Sequence, residues 1–360
     1  MSILDPSPPS IVPVSAIRAA RDIIAGVVHR TPVLTSASAA RVAGAAAGVS
    51  FADGVVHLKA EHLQRTGSFK PRGATVRIAR LSPEAAAAGV IAVSAGNHAQ
   101  AVAWAARSAG VRATVVMPLA AVRSKVAACR AYGAEVILFG GAIGETWAEM
   151  ERIRDERGLT FLHPFDDADI IAGQGTVGLE ILEDVPDVDV VVVPAGGGGL
   201  ACGIAAAVKE TRPGVRVFAV EPVESTALTA ALAADEIVRV EPRSIADGLN
   251  APFAGPRTLA MGRRYLDGVV LVDDGAIAGA MRFAAERLKQ VLEPAGAAGL
   301  AALLGGVVPL RDGDRVCVVL SGGNVDVGRF GELIAGAIVF ADPADVSEPG
   351  AAAEVPGVTG

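Results

Sequence analysis

Along most of the chain, short runs of β-branched and other apolar residues alternate with longer stretches in which apolar residues recur every three or four positions. The segment GVIAVSAGNHAQAVAWAARSAG, residues 89–110, reads as a strand, a loop and a helix. VRATVVMPLAAVRSKVAACRAYG and AEVILFGGAIGETWAEMERIRDERG repeat that unit. Three such units in succession predict parallel strands with right-handed crossovers, and they place a small domain at residues 83–155. The same grammar resumes after FLHPFDD, with the helix GQGTVGLEILEDV, the strand VDVVVVPA, a glycine loop, the helix LACGIAAAVKET and the strand VRVFAVEP. Later come GVVLVDDGAIAGAMRFAAERLKQ, PAGAAGLAALLGG and DRVCVVLSGGN. A larger domain is therefore expected from residues 11–82 together with 156–340. Residues 1–10 and 341–360 are rich in Pro, Ala and Gly without periodicity, and read as loose tails.

Composition changes this picture little but removes some classes. Aromatic residues make up only 4 % of a chain that is 51 % hydrophobic, so the core must be built from Val, Leu, Ile and Ala. A net charge of −7 argues against a nucleic-acid partner, which calls for a basic face. Cys129, Cys202 and Cys317 are too dispersed for a metal site and read as buried thiols of a reducing cytoplasm. The N-terminal MSILDPSPPS lacks a signal-peptide pattern. Val190 to Val208 is uncharged over about the length of a membrane helix, but Pro194 and the glycines Gly196–Gly199 interrupt it. A buried strand, loop and helix is the expectation there, with no membrane partner.

Against this background one lysine stands out. In TGSFKPRGA, Thr66–Ala74, Lys70 sits among small and turn-forming residues. It is either an ordinary solvated lysine or a positioned, partly desolvated amine of the Schiff-base kind. Three loops after expected strands decide between these, since ligands gather at such loops in open α/β sheets. In PAGGGGLACG, Gly196 to Gly199 allow backbone N–H groups to converge on an anion at the start of a helix, and a phosphate is the natural guest. Gly196, Gly198 and Ala201 also fit a dinucleotide fingerprint with Glu221 about twenty residues on, which keeps a nicotinamide-dependent oxidoreductase in view. That reading offers no hydride-transfer partner and leaves Lys70 unused. In SAGNHAQ, Ser94, Asn97 and His98 put a hydroxyl, an amide and an imidazole at a helix N-terminus, suited to a carboxylate or to plain capping. SGGN, Ser321–Asn324, is by itself only a turn. Together, an amine, a phosphate cradle and a carboxylate grip suit pyridoxal 5′-phosphate with an amino-acid substrate.

TGSFKPRGA, SAGNHAQ, PAGGGGL and SGGN, in this order and across about residues 15–340, resemble the threonine/serine dehydratases. These are fold-type-II pyridoxal-phosphate enzymes, which include the serine racemases. The resemblance implies a two-lobed α/β fold like that of tryptophan synthase β, with open, mostly parallel sheets and helices on both faces. It implies that Lys70 carries the cofactor as a Schiff base and then takes the substrate Cα proton, with Phe69 flanking the ring. Asn97 would bond the cofactor's 3′-oxygen, while Ser94, Ala95, Gly96, Asn97 and His98 form the substrate carboxylate site. Gly196, Gly197, Gly198, Gly199 and Leu200 would hold the phosphate, and Ser321 would face the pyridine nitrogen. A hydroxyl there cannot fix a proton on that nitrogen as a carboxylate would, which favours prompt β-elimination over a long-lived carbanion. The implied activity is α,β-elimination from a threonine- or serine-like amino acid, giving a 2-oxo acid and ammonia, with an amino-acid racemase as the alternative.

The chain also departs from the family pattern. Relatives with a divalent-cation site use a glutamate, a carbonyl four residues on and an aspartate six on. Those positions are Glu221, Ser225 and Ala227 here, so no tight metal site is expected. Serine racemases resembling this chain carry serine where Ala95 stands. A regulatory domain beyond residue 340 is not expected, and a homodimer is, because relatives commonly form one.

Overall fold

The computed structural model describes residues 11–141 and 143–346. Ten strands form two sheets: β1 (Val33–Ser36), β2 (Val56–Lys59), β3 (Val90–Val93), β4 (Ala113–Met117), β5 (Glu135–Leu138), β6 (Thr160–Phe161), β7 (Val190–Pro194), β8 (Arg216–Pro222), β9 (Gly268–Val272) and β10 (Val316–Val319) among the described residues. The larger sheet has the order β1-β2-β10-β7-β8-β9, parallel throughout except for β1 against β2. The smaller has the order β5-β4-β3-β6 and is wholly parallel. This is the fold-type-II architecture.

Both faces of the larger sheet are covered, which explains why its strands read as unbroken apolar runs. Val191, Val193, Val217 and Ala219 pack into one core, whereas their neighbours Val190, Val192, Phe218 and Val220 pack into the opposite one, the two-residue period of a strand. The smaller sheet behaves likewise, with Val90 and Ala92 on one side and Ile91 and Val93 on the other. Its fourth strand, β6, lies past residue 155 and pairs with β3 through Thr160 and Phe161.

Three helices bring the chemistry-bearing loops together: Pro71–Ala79, Ala168–Asp184 and Gly199–Thr211. They touch through glycines. A Cβ on Gly173 would stand 2.5 Å from Gly73 Cα, and one on Gly203 would stand 2.6 Å from the Ile171 carbonyl. Backbone-to-backbone contact of this kind fixes the Lys70 helix relative to the glycine-loop helix with little freedom to shift. The uncharged stretch Val190–Val208 is β7, a glycine turn and the start of the last of these helices. Among the described residues, no helix is long and apolar enough to cross a membrane.

Candidate active site

Lys70 ends a turn in which Thr66 adopts φ 58°. A β-branched residue rarely enters the left-handed region, at a cost of about 1–3 kcal/mol, so the turn needs support from outside. The SGGN loop supplies it. The Phe69 N–H donates to the Ser321 carbonyl at 3.2 Å and the Gly323 N–H to the Gly67 carbonyl at 2.9 Å. Asn324 Nδ2 donates to the Thr66 carbonyl at 2.6 Å. On the far side, Arg72 is fully buried and forks onto both oxygens of Glu61, at 2.8 and 2.7 Å, and both oxygens of Glu180, at 2.7 and 2.9 Å. Lys59, also fully buried, joins Glu180 at 2.7 Å. The residue two places after Lys70 is thus clamped to the turn that follows β2 and to the helix Ala168–Asp184.

The Lys70 amine donates to the Pro164 carbonyl at 2.7 Å and lies 5.1 Å from the Phe69 ring centre. Burial pushes its pKa down to about 8, with Glu293 opposing the fall. A far larger share of neutral, nucleophilic amine exists at neutral pH than on an exposed lysine. Glu293 itself is pushed up to about 8, by burial first and then by Asp247.

Beside this amine stand two sets of backbone N–H groups without acceptors. The first is the glycine loop. Gly198, at φ 91°, caps the helix Gly199–Thr211, and among the described residues nothing accepts from the N–H groups of Gly196 to Leu200. The side chain of Leu200 is committed to the core, which leaves its N–H as its only contribution. Phe165 closes the loop from outside: its carbonyl would stand 2.6 Å from a Cβ on Gly199, and its ring would collide with one on Gly197. That ring is itself held edge-on by His163 and Phe253, with centroids 4.6 and 5.8 Å away. Converging N–H groups at the head of a 13-residue helix make a cradle for an anion.

The second set is SAGNHAQ, at the head of the helix Asn97–Ser108. The N–H groups of Ala95, Asn97 and His98 find no acceptor among the described residues. Ser94 uses its hydroxyl to accept from the Gly96 N–H at 3.1 Å and so shapes the loop. His98 does not present its imidazole here. The ring is buried, its Nε2 donates to the Leu162 carbonyl at 2.9 Å, and burial with the nearby Lys70 charge pushes its pKa down to about 3. The neutral ring is a packing element, so His98 has only its N–H to offer a ligand. Asn97 is held at both ends of its amide, by Glu293 at 2.5 Å and Asn324 at 2.8 Å. Ser321 is buried, with its hydroxyl 3.4 Å from the Ala295 carbonyl.

Glu221 is occupied elsewhere. Its carboxylate accepts from the N–H groups of Leu228 and Thr229, both at 2.8 Å, and from the Thr229 hydroxyl, capping the helix Ala227–Ala234. Burial pushes its pKa up to about 7. The Ser225 hydroxyl donates to the Leu249 carbonyl at 2.8 Å. The residues that sequence reasoning missed are Glu293, Asn324, Pro164 and Phe165. FLHPFDD and SGGN are visible as turn segments, but nothing in their spacing names their partners.

A weakly basic lysine and two backbone loops suited to anions thus lie in one region of the fold. The chain belongs to the family of pyridoxal-phosphate dependent enzymes, whose family model matches residues 24–322. It is 42 % identical to an L-threonine ammonia-lyase of Thermotoga maritima over 349 residues, covering 95 % of this chain and 84 % of that one. An L-threonine ammonia-lyase of Geobacter sulfurreducens is 45 % identical over 287 residues, or 79 % of this chain and 71 % of that one. Among solved structures, maize serine racemase superposes with a TM-score of 0.83 at 38 % identity, over 91 % of this chain and 98 % of its own.

Proposed function

We propose that the chain is an ammonia-lyase that eliminates water from a β-hydroxy amino acid of the threonine or serine type, leaving a 2-oxo acid and ammonia. The observation that carries the reading is the Lys70 amine, pKa lowered, set between two loops of unbonded N–H groups. Pyridoxal phosphate, when bound, supplies the electron sink that makes a Cα proton removable. The residues fit that group: Lys70 would hold its aldehyde carbon, Gly196 to Leu200 its phosphate, Asn97 its ring oxygen and Ser321 its ring nitrogen, with Phe69 alongside. The N–H groups of Ala95, Asn97 and His98 would orient the substrate carboxylate. Lys70 would take the Cα proton. The β-hydroxyl leaves as water, and water returns when the released enamine is hydrolysed to ammonia and the keto acid. The three free, buried cysteines fit a reducing compartment.

The fold alone does not separate lyase from racemase, because the same scaffold serves maize serine racemase. Ala95 does. Inverting Cα needs an acid-base group on each face of the ligand, and a methyl group at residue 95 has no proton to exchange. Incubation with L-threonine, L-serine and D-serine, with keto acid, ammonia and amino-acid configuration followed together, should show elimination from one configuration and negligible D-product. Appearance of D-serine from L-serine at a rate comparable to keto acid would overturn the assignment. Ala95→Ser should gain some racemisation.

The phosphate assignment has its own test. A valine at Gly197 must displace the Phe165 ring or move the loop backbone, an overpacking cost of about 1–3 kcal/mol. Gly197→Val is therefore expected to bind pyridoxal phosphate at least about tenfold more weakly in a titration of apoprotein. Unchanged affinity would show that the phosphate sits elsewhere.

A further inference from the structure

We infer that Asn324 sets which end of the Asn97 amide faces the ligand, and so makes Asn97 a hydrogen-bond donor only. A carboxamide can turn over and exchange its oxygen for its nitrogen, so its polarity depends on its partners. Here a chain of three bonds fixes it. The Thr66 carbonyl has no proton to give, so the amide atom 2.6 Å from it is the nitrogen of Asn324. The second hydrogen of that nitrogen goes to Asn97, 2.8 Å away, which places the Asn97 oxygen on that side. The Asn97 nitrogen then points to Glu293 Oε1, at 2.5 Å. Its remaining hydrogen has no acceptor among the described residues.

Asn324 is itself immobilised. Its carboxamide fills the space that a Cβ on Gly67 would take, and Gly67, at φ 74°, belongs to the same strained turn as Thr66. One side chain thus both supports the turn that carries Lys70 and bonds the Asn97 amide. An amide that offers only N–H selects an ionised oxygen, because a bond to a charged acceptor is about twice as strong as a neutral one. The inference rests on the reading that the ring oxygen of pyridoxal phosphate lies against Asn97.

The test compares pyridoxal phosphate with 3-deoxypyridoxal phosphate, which lacks that oxygen, titrated separately into the apoprotein. The wild type should prefer pyridoxal phosphate by about tenfold, the worth of one charge-assisted hydrogen bond. Asn324→Asp, at a pH where the new carboxyl is ionised, keeps the shape but can only accept, so Asn97 turns its oxygen towards the ligand and the preference should fall to near one. Asn324→Ala, which frees the amide to turn, should give an intermediate ratio and serves if the aspartate variant folds poorly. Asn97→Ala should abolish the preference. A purely structural role for Asn324 would weaken both ligands equally and leave the ratio at its wild-type value, which would overturn the inference. In that case a ratio still lost in Asn97→Ala shows that the placement of the ring oxygen stands and only the role of Asn324 fails. No preference in the wild type would remove the placement and the inference together.

Discussion

Replacing Lys70 by alanine is expected to lower kcat/KM for the best β-hydroxy amino acid by more than about 10³-fold, with the fold intact. A positioned general base alone contributes about 10²–10⁴-fold, and the same amine is the group proposed to hold the cofactor. Among the described residues, the other lysines are engaged elsewhere. Lys59 is fully buried and paired with Glu180, and Lys125 pairs with Asp247 at 2.9 Å. The helix that follows Lys70 keeps its anchors, because Arg72 and Pro71 are untouched. Circular dichroism and a thermal melt would confirm that Lys70→Ala is folded. Retention of more than a tenth of wild-type turnover by a folded Lys70→Ala protein would remove Lys70 from the chemistry.

The largest stability effect is expected at Arg72. Its guanidinium, together with Lys59, balances the carboxylates of Glu61 and Glu180 in a site closed to water. Arg72→Met removes one charge and leaves two buried carboxylates facing a single lysine. Breaking a buried pair in this way costs about 3–5 kcal/mol, since the orphaned charge stays desolvated. Arg72→Lys should rescue little, because a single ammonium cannot fork onto two carboxylates at once. Urea unfolding of the apoprotein gives the number directly, and a loss below about 1 kcal/mol would mean that the network is not what anchors the Lys70 helix. Because the network reaches Lys70 through only two residues, cofactor retention should fall along with stability.

Much of this arrangement was legible in the chain because it rests on local pattern. Apolar runs such as Val190–Val193, ending in glycines, announce strands buried on both faces and a loop at their carboxyl ends. The glycines at residues 196–199 and the small residues around Lys70 declare crowded backbone. What pattern cannot show is the partner across the fold. Glu293 meets Asn97 from 196 residues away, and Asn324 meets it from 227. His98 looked like a ligand because an imidazole at a helix N-terminus is well placed to be one. Only the Leu162 carbonyl, fixed by the pairing of β6, turns it inward. β6 itself spans two residues, too few for any alternation to register. Glu221 fits a dinucleotide fingerprint by spacing, but spacing does not show that its oxygens accept from Leu228 and Thr229 at the head of the helix Ala227–Ala234.

The central claim is that Lys70 is the amine that carries pyridoxal phosphate, and one measurement addresses it most directly. Borohydride converts an amine-bound aldehyde cofactor into a stable secondary amine that survives digestion, so the modified peptide identifies the lysine. The chain holds five lysines, Lys59, Lys70, Lys125, Lys209 and Lys289, which trypsin and mass spectrometry separate readily. Reduction of the yellow holoenzyme should place the label on Lys70 alone, near one equivalent per chain, and none should attach in Lys70→Ala. Stoichiometric label on Lys59, Lys125, Lys209 or Lys289, or no label on protein saturated with the cofactor, would contradict the account.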